Sequence, residues 1–288
     1  MILVTGSTGN VGSKILGELL KRHVAFRALV RKDGDVQRLN TRGIEVIQGD
    51  MTDRGRMRTV LQGVTHLYLL SATNPQLAET EGMLAEEARN AGVQHIVKQS
   101  AFGADTQAHC PISRVHAEAE EAVQASGVSC TILRPNSFMQ NFVPLHARTI
   151  IAQGTFYEAL ADARVSHIDT RDLAEVAANI LTQPGHEGQT YNLTGPEALS
   201  DEQIANMLST LLGRRVTYTP ISDDAMRQGM LAAHMPEWYV DSLVTLYQFY
   251  RQGGAAPATP DLAYLLKREP RTMETYLQEN IANLSSIG

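Results

Sequence analysis

MILVTGSTGNVGSKILGELL, residues 1–20, carries a short apolar run into Gly6-x-x-Gly9-x-x-Gly12 and from there directly into an amphipathic pattern. Each glycine has its own reason to be there. Gly6 permits a tight turn, Gly9 lets the backbone approach a pyrophosphate, and Gly12 allows the following helix to pack closely on the preceding strand. The start of that helix offers free N–H groups and a positive dipole end. Gly6, Ser7, Thr8, Gly9, Asn10, Val11 and Gly12 are therefore candidate residues for holding phosphates. A merely flexible turn would need neither the strand before these glycines nor the helix after them.

Working outward, short apolar runs at 2–5, 25–30, 45–48, 66–70, 95–99 and 129–133 alternate with helical stretches near 11–22, 54–62, 76–91 and 113–125. That alternation is the mark of a parallel sheet with crossover helices, its strands buried on both faces. Gly63, Gly92 and Gly127 sit just past three of the helices, where a C-cap wants positive φ. Beyond Arg134 the rhythm changes. Helices are expected near 171–181, 201–212, 223–233 and 237–250, with short strands near 190–193 and 216–219 and a loop at 253–260. The predicted fold is α/β: a Rossmann-type doubly wound parallel sheet with a smaller, mostly helical C-terminal lobe. The nucleotide-binding domain is assigned to 1–150, with segments returning to it at about 165–195, and the lobe to 196–288.

The 288 residues are 43% hydrophobic and 19% charged, enough for a sizeable core. A net charge of -6 speaks against nucleic acid as a partner. Yet 11 of the 25 Lys and Arg lie in the first 60 residues, as suits a small polyanion there. Cys110 and Cys130 have no zinc-like spacing and read as reduced thiols, so no metal is expected. With neither a leader-like segment nor a membrane-length apolar run, the expectation is a cytoplasmic protein without a membrane partner.

In an open parallel sheet, ligands lie beyond the carboxyl ends of the strands. The second strand ends at Arg31 and Lys32, where an NAD-specific site would put an acid. Their cations suit a 2′-phosphate, so NADP(H) is preferred, with NAD(H) second; a solvated pair of surface cations is the alternative. After the third strand, Asp50 would either accept from an adenine amino group, with Met51 over the ring, or cap the next helix. Ser71 and Ala72 follow the fourth strand, and Gln99, Ser100 and Ala101 the fifth. Pro135, Asn136, Ser137 and Phe138 follow the sixth. The last two groups are expected around the nicotinamide.

Further segments carry the resemblance: GD at 49–50, AGVQHIVKQSAFG at 91–103, HAEAEEAVQASGVSCTILRPNSFMQNF at 116–142, HIDTRDLAEVAANIL at 167–181 and TYNLTGPEALS at 190–200. With GSTGNVG at 6–12 they make the chain resemble the NmrA-like family of atypical short-chain dehydrogenases, in its bacterial reductase branch. The resemblance implies a nucleotide-binding domain, a small C-terminal lobe and a substrate cleft between them. It also implies cofactor contacts from Gly6, Thr8, Gly9, Asn10, Val11, Arg31, Ser71, Ala72, Pro135 and Asn136. One departure matters. The Tyr-x-x-x-Lys of many short-chain dehydrogenases is replaced, with Ile112 at the Tyr position and His116 at the Lys position.

Without that phenol, carbonyl reduction loses its proton donor. The expectation is an NAD(P)H-dependent reductase acting on a quinone-like, azo or other conjugated aromatic acceptor. A non-enzymatic redox sensor working through a protein partner is the alternative, and a homo-oligomer is left open. His116 is the one catalytic candidate, as ribose ligand or proton relay; a buried histidine without chemistry is the other reading. In the 167–172 segment, Asp169 or Thr170 is expected to cap a helix. Trp238, Tyr239, Tyr247, Phe249 and Tyr250 would line an aromatic pocket or fill the lobe core, the latter being expected for most of them.

Overall fold

A computed structural model of the chain describes residues 1–285. In chain order the first stretch contains β1 (Ile2–Val4), α1 (Gly12–Lys21), β2 (Phe26–Val30), α2 (Asp33–Asn40), β3 (Glu45–Gln48), α3 (Arg54–Val60), β4 (His66–Leu69), α4 (Leu77–Asn90), β5 (His95–Gln99), α5 (Pro111–Ala125) and β6 (Ser129–Pro135). Then come α6 (Phe142–Gln153), β7 (Thr155–Glu158), β8 (Arg164–Val165), α7 (Thr170–Thr182) and β9 (Thr190–Leu193). The remainder holds β10 (Leu199–Ser200), α8 (Asp201–Leu212), β11 (Thr217–Pro220), α9 (Asp223–Ala232), α10 (Glu237–Arg251), α11 (Asp261–Leu266), α12 (Met273–Glu279) and α13 (Ala282–Ser285).

Seven strands form one sheet in the order β3-β2-β1-β4-β5-β6-β9. The registered neighbours from β3 through to β6 are parallel. This is the doubly wound arrangement, and its order reverses between β1 and β4, the position at which such sheets bind ligands. Thr5 fastens that point: its hydroxyl donates to the Leu70 carbonyl at 2.9 Å and accepts from the Leu70 N–H at 2.8 Å. In α1, Ile15, Leu16 and Leu19 are wholly buried at i, i+1 and i+4. Each contributes about 1.5–3 kcal/mol by leaving water. Gly63, Gly92 and Gly127 all have positive φ, as their places past helix ends predict.

The chain divides into two compact units. One comprises Met1–Ala108, Ser113–Arg134 and Thr170–Asn192; the other His109–Ile112, Pro135–Asp169 and the residues from Leu193 onward. The domain expected from the sequence runs from 1 to 150, with segments returning to it at about 165–195. In the structure 135–150 belong with the second unit because Met139, Phe142 and Ile150 share a core with Phe156, Ile204, Leu208 and Leu277. That unit also contains two small sheets, β11 with β7 in parallel and β10 with β8 antiparallel. No helix among the described residues is long and apolar enough to cross a membrane.

Candidate functional site

The turn after β1 is built from backbone. Gly6 has φ +58°, and a Cβ there would meet Leu70 Cγ at 2.8 Å. The Gly9 N–H donates to the Gly6 carbonyl at 3.0 Å. A Cβ on Gly12 would stand 2.2 Å from that same carbonyl oxygen, so the helix start and the turn touch with no room for a side chain. Thr8, Gly9 and Asn10 are exposed, whereas Ser7 and Val11 are buried. The Ser7 hydroxyl donates to the Leu29 carbonyl at 2.5 Å, tying the turn to the end of β2. Thus a tight, open-faced cradle stands at the N-terminus of a ten-residue helix, which is what a pyrophosphate requires. Lys14, which sequence reasoning passed over, reaches back to the cradle and donates to the Asn10 carbonyl at 2.8 Å.

At the ends of β2 and β3, Arg31 and Lys32 are exposed. One Arg31 guanidinium nitrogen is 3.9 Å from Asp50 Oδ2. Asp50 uses its other oxygen to accept from the Thr52 N–H and hydroxyl, at 2.9 and 2.7 Å. Those two bonds, with Arg31 adding to them, hold its carboxyl below the usual range. The helix cap considered for Asp50 belongs instead to Asp53, which accepts from the Arg56 N–H. Met51 is half-buried against the core formed by α3, α4 and the sheet. Arg56, a second residue without an obvious sequence signal, lies along Gly49 and donates to the Gln48 carbonyl at 2.8 Å.

At the ends of β4 and β5, Ser71 is half-buried and Ala72 exposed. The Ser71 hydroxyl donates to Glu81 Oε1 at 2.6 Å. Gln99 accepts from the Tyr68 phenol at 2.6 Å. Ser100 is 2% exposed and gives its hydroxyl to Glu120, which also receives Arg134. These two polar side chains are therefore committed within the unit, and Ala101 beside them is half-buried.

His116 shares a hydrogen bond of 3.2 Å between its Nε2 and the Thr73 hydroxyl, while its buried Nδ1 has no partner among the described residues. Burial, with the Lys98 charge adding to it, pushes its pKa down to about 3. The ring is thus neutral across the physiological range. Because the unfolded chain takes up this proton near pH 6.5 and the folded chain does not, stability is lost as pH falls through the interval between about 6.5 and 3.

In the second unit, Pro135 is buried and Phe138 half-buried. Asn136 donates to Ser166 Oγ and to the Ala255 carbonyl, each at 2.9 Å, which consumes its amide nitrogen. Trp238, Tyr239, Tyr247, Phe249 and Tyr250 are all half-buried. Tyr247 and Tyr250 stack at 6.0 Å beside Leu160, Val165 and Ala255, and burial raises the pKa of both phenols. Asp169 accepts from Gln140 at 2.8 Å and directly precedes α7. Both cysteines are buried and unpaired to each other.

Known proteins resemble this chain in sequence and in fold. The chain is 37% identical to the NAD(P)H azoreductase of Xenophilus azovorans, over 94% of this chain and 92% of that one. Its structure superposes on the NADPH-dependent quinone oxidoreductase of Escherichia coli, solved with NADPH, with a TM-score of 0.88 and 28% identity, over 99% of each chain. The triphenylmethane reductase of Citrobacter sp., solved with NADP(H), matches with a TM-score of 0.85 and 27% identity, over 96% of this chain and 99% of that one. The model of the NmrA-like family matches residues 1–277, and the chain belongs to that family.

Proposed function

We propose that the protein is an NADPH-preferring reductase of quinones, azo compounds or other conjugated aromatic acceptors. One observation carries this reading: a complete glycine cradle is combined, at the position of the usual dyad lysine, with a buried neutral histidine and no phenol four residues before it. The residues fit a dinucleotide. Gly6 to Gly12 and the start of α1 would hold its pyrophosphate, Arg31 and Lys32 its 2′-phosphate, and Ser71 and Ala72, in the segment beyond β4, would contact it as well. When bound, the dinucleotide supplies a hydride. His116 contributes a fixed hydrogen bond to Thr73, and the proton that completes reduction is left to water. Acceptors that delocalise negative charge tolerate this; simple ketones do not. The protein is read as cytoplasmic, acting on small molecules.

The direct test mixes pure protein with NADPH and a panel of quinones, azo dyes and simple ketones while following absorbance at the cofactor band. Oxidation by quinones or azo dyes, with ketones inert, is the expected result. Tight NADPH binding with no acceptor turned over would overturn the reading in favour of a sensor.

His116→Ala provides an independent check. Because its imidazole holds no proton to give near neutral pH, the variant should keep kcat within about threefold of the parent. Removing a general acid typically costs about 10²–10⁴-fold. Steady-state kcat from pH 5.5 to 8.5 decides: a loss of the larger size, with a vanished titration, would make His116 the donor.

A further inference from the structure

Lys98 lies on β5 with none of its surface exposed, and its side chain leaves the same face as Ile96, two residues earlier. Ile96 packs with Leu84, Ala85, Ala88 and Val123, an apolar layer in which an aliphatic residue would sit without cost. Burying an ammonium there is expensive unless it is paired, and replacing such a pair by apolar side chains is often neutral or stabilising. The pair thus calls for a reason other than stability.

Its connections supply one. Lys98 Nζ is 2.6 Å from Glu81 Oε2 on α4, and Glu81 is 1% exposed. The other oxygen, Oε1, receives the Ser71 hydroxyl at 2.6 Å. Lys98 also donates to the carbonyl of Gln99, the last residue of β5, at 3.2 Å. A second tether comes from α5, where His116 bonds Thr73. The segment 71–73 therefore rests on two side chains rising from beneath it. Of these, Glu81 is a carboxylate whose charge Lys98 balances.

Resting on the reductase reading, we propose that Glu81 and Lys98 are positioning residues: a buried charge clamp that fixes Ser71, and with it the segment after β4, in the conformation that receives the cofactor. Glu81 supplies the acceptor. Lys98, 2.6 Å from its other oxygen, holds that acceptor in place.

Two double variants separate positioning from mere structure. Glu81→Leu with Lys98→Met removes the acceptor but leaves an apolar layer. Glu81→Gln with Lys98→Met removes both charges and restores an oxygen to Ser71. The first should fold with a melting temperature near the parent's yet bind NADPH about tenfold more weakly, the order of one charge-assisted hydrogen bond. The second should recover binding to within about threefold of the parent. In both, KM for NADPH should follow the dissociation constant, with kcat at saturation nearly unchanged. Ser71→Ala, which leaves the core intact, should reproduce the loss and add nothing to it in the Leu/Met background. Parent-like NADPH binding by the Leu/Met variant, or additive losses with Ser71→Ala, would overturn the clamp. Calorimetry with NADPH alone keeps the clamp separate from the acceptor assay, because a parent that binds NADPH but reduces nothing fails the reductase reading and leaves the clamp standing.

Discussion

Gly9→Val is expected to leave the fold standing and abolish dinucleotide binding, whereas Gly12→Val is expected to break the turn itself. The two glycines lie three residues apart and differ in what a side chain would meet. At Gly9, among the described residues beyond its chain neighbours, an added Cβ would meet only the Gly6 carbonyl oxygen within 4 Å, at 3.3 Å, and the residue is exposed. A valine there projects into the space through which the backbone meets a pyrophosphate, so the cost falls on binding. At Gly12 the Cβ would stand 2.2 Å from the Gly6 oxygen and 2.7 Å from its carbon. Those are backbone atoms, and no rotamer change relieves the overlap. The helix must withdraw from the strand, at a cost of roughly 4 kcal/mol or more, in the range reserved for disrupted packing. Thermal melts followed by circular dichroism, with calorimetric NADPH titrations, decide both. Parent-like NADPH binding by Gly9→Val would remove the cradle from the site, and an unchanged melting temperature for Gly12→Val would contradict the close contact.

These glycines were legible because their requirement is local: backbone conformation and backbone approach are written in the residue type. The strands at 45–48 and 95–99 were legible for a related reason, since a short apolar run between turn residues has few other uses. Helix α2 was not foreseen. Its eight residues bury only Leu39, so no amphipathic period exists to be read, and Asp33 and Asp35 serve its first turn. Helix α6 was hidden by Pro144, which falls in the first turn, where a missing N–H costs nothing. The polar residues show the limit most clearly. Ser100 and Asn136 stand at strand ends, where the topology rule assigns ligand contacts, yet packing gives their side chains to Glu120 and to Ser166 and Ala255. Glu81 and Lys98 were passed over in the other direction. A charge on a helix or strand is usually solvated, and only the tertiary fold brings these two together in the interior. A lysine inside HIVKQ, a central strand buried throughout, was the available signal.

Arg31→Ala should weaken NADPH binding by roughly 1.5–3 kcal/mol, about 10- to 150-fold, while changing NADH binding little. The two cofactors differ at the 2′ position, where NADPH carries a phosphate and NADH a hydroxyl. A guanidinium bonds a phosphate in bidentate, charge-assisted fashion and gains far less from a hydroxyl. The surroundings of Arg31 favour this role. Its side chain is 73% exposed, and its nearest anion is Asp50 Oδ2 at 3.9 Å, a loose surface pairing worth little in water. The carboxylates nearby each have one oxygen engaged: Asp33 accepts from Gln48 at 2.7 Å, Asp35 from Arg38 at 2.8 Å, and Asp50 from the Thr52 hydroxyl at 2.7 Å. The exposed cations at the end of β2 thus suit an anion. Because the interaction is between exposed charges, the preference should also shrink as salt is raised from about 0.05 to 0.5 M, where screening shortens to a few ångströms. Calorimetric dissociation constants for both cofactors, in parent and variant at the two salt concentrations, test every part of this. Equal weakening of NADPH and NADH would show that Arg31 touches something the two share, and a preference indifferent to salt would mean that charge is not its source.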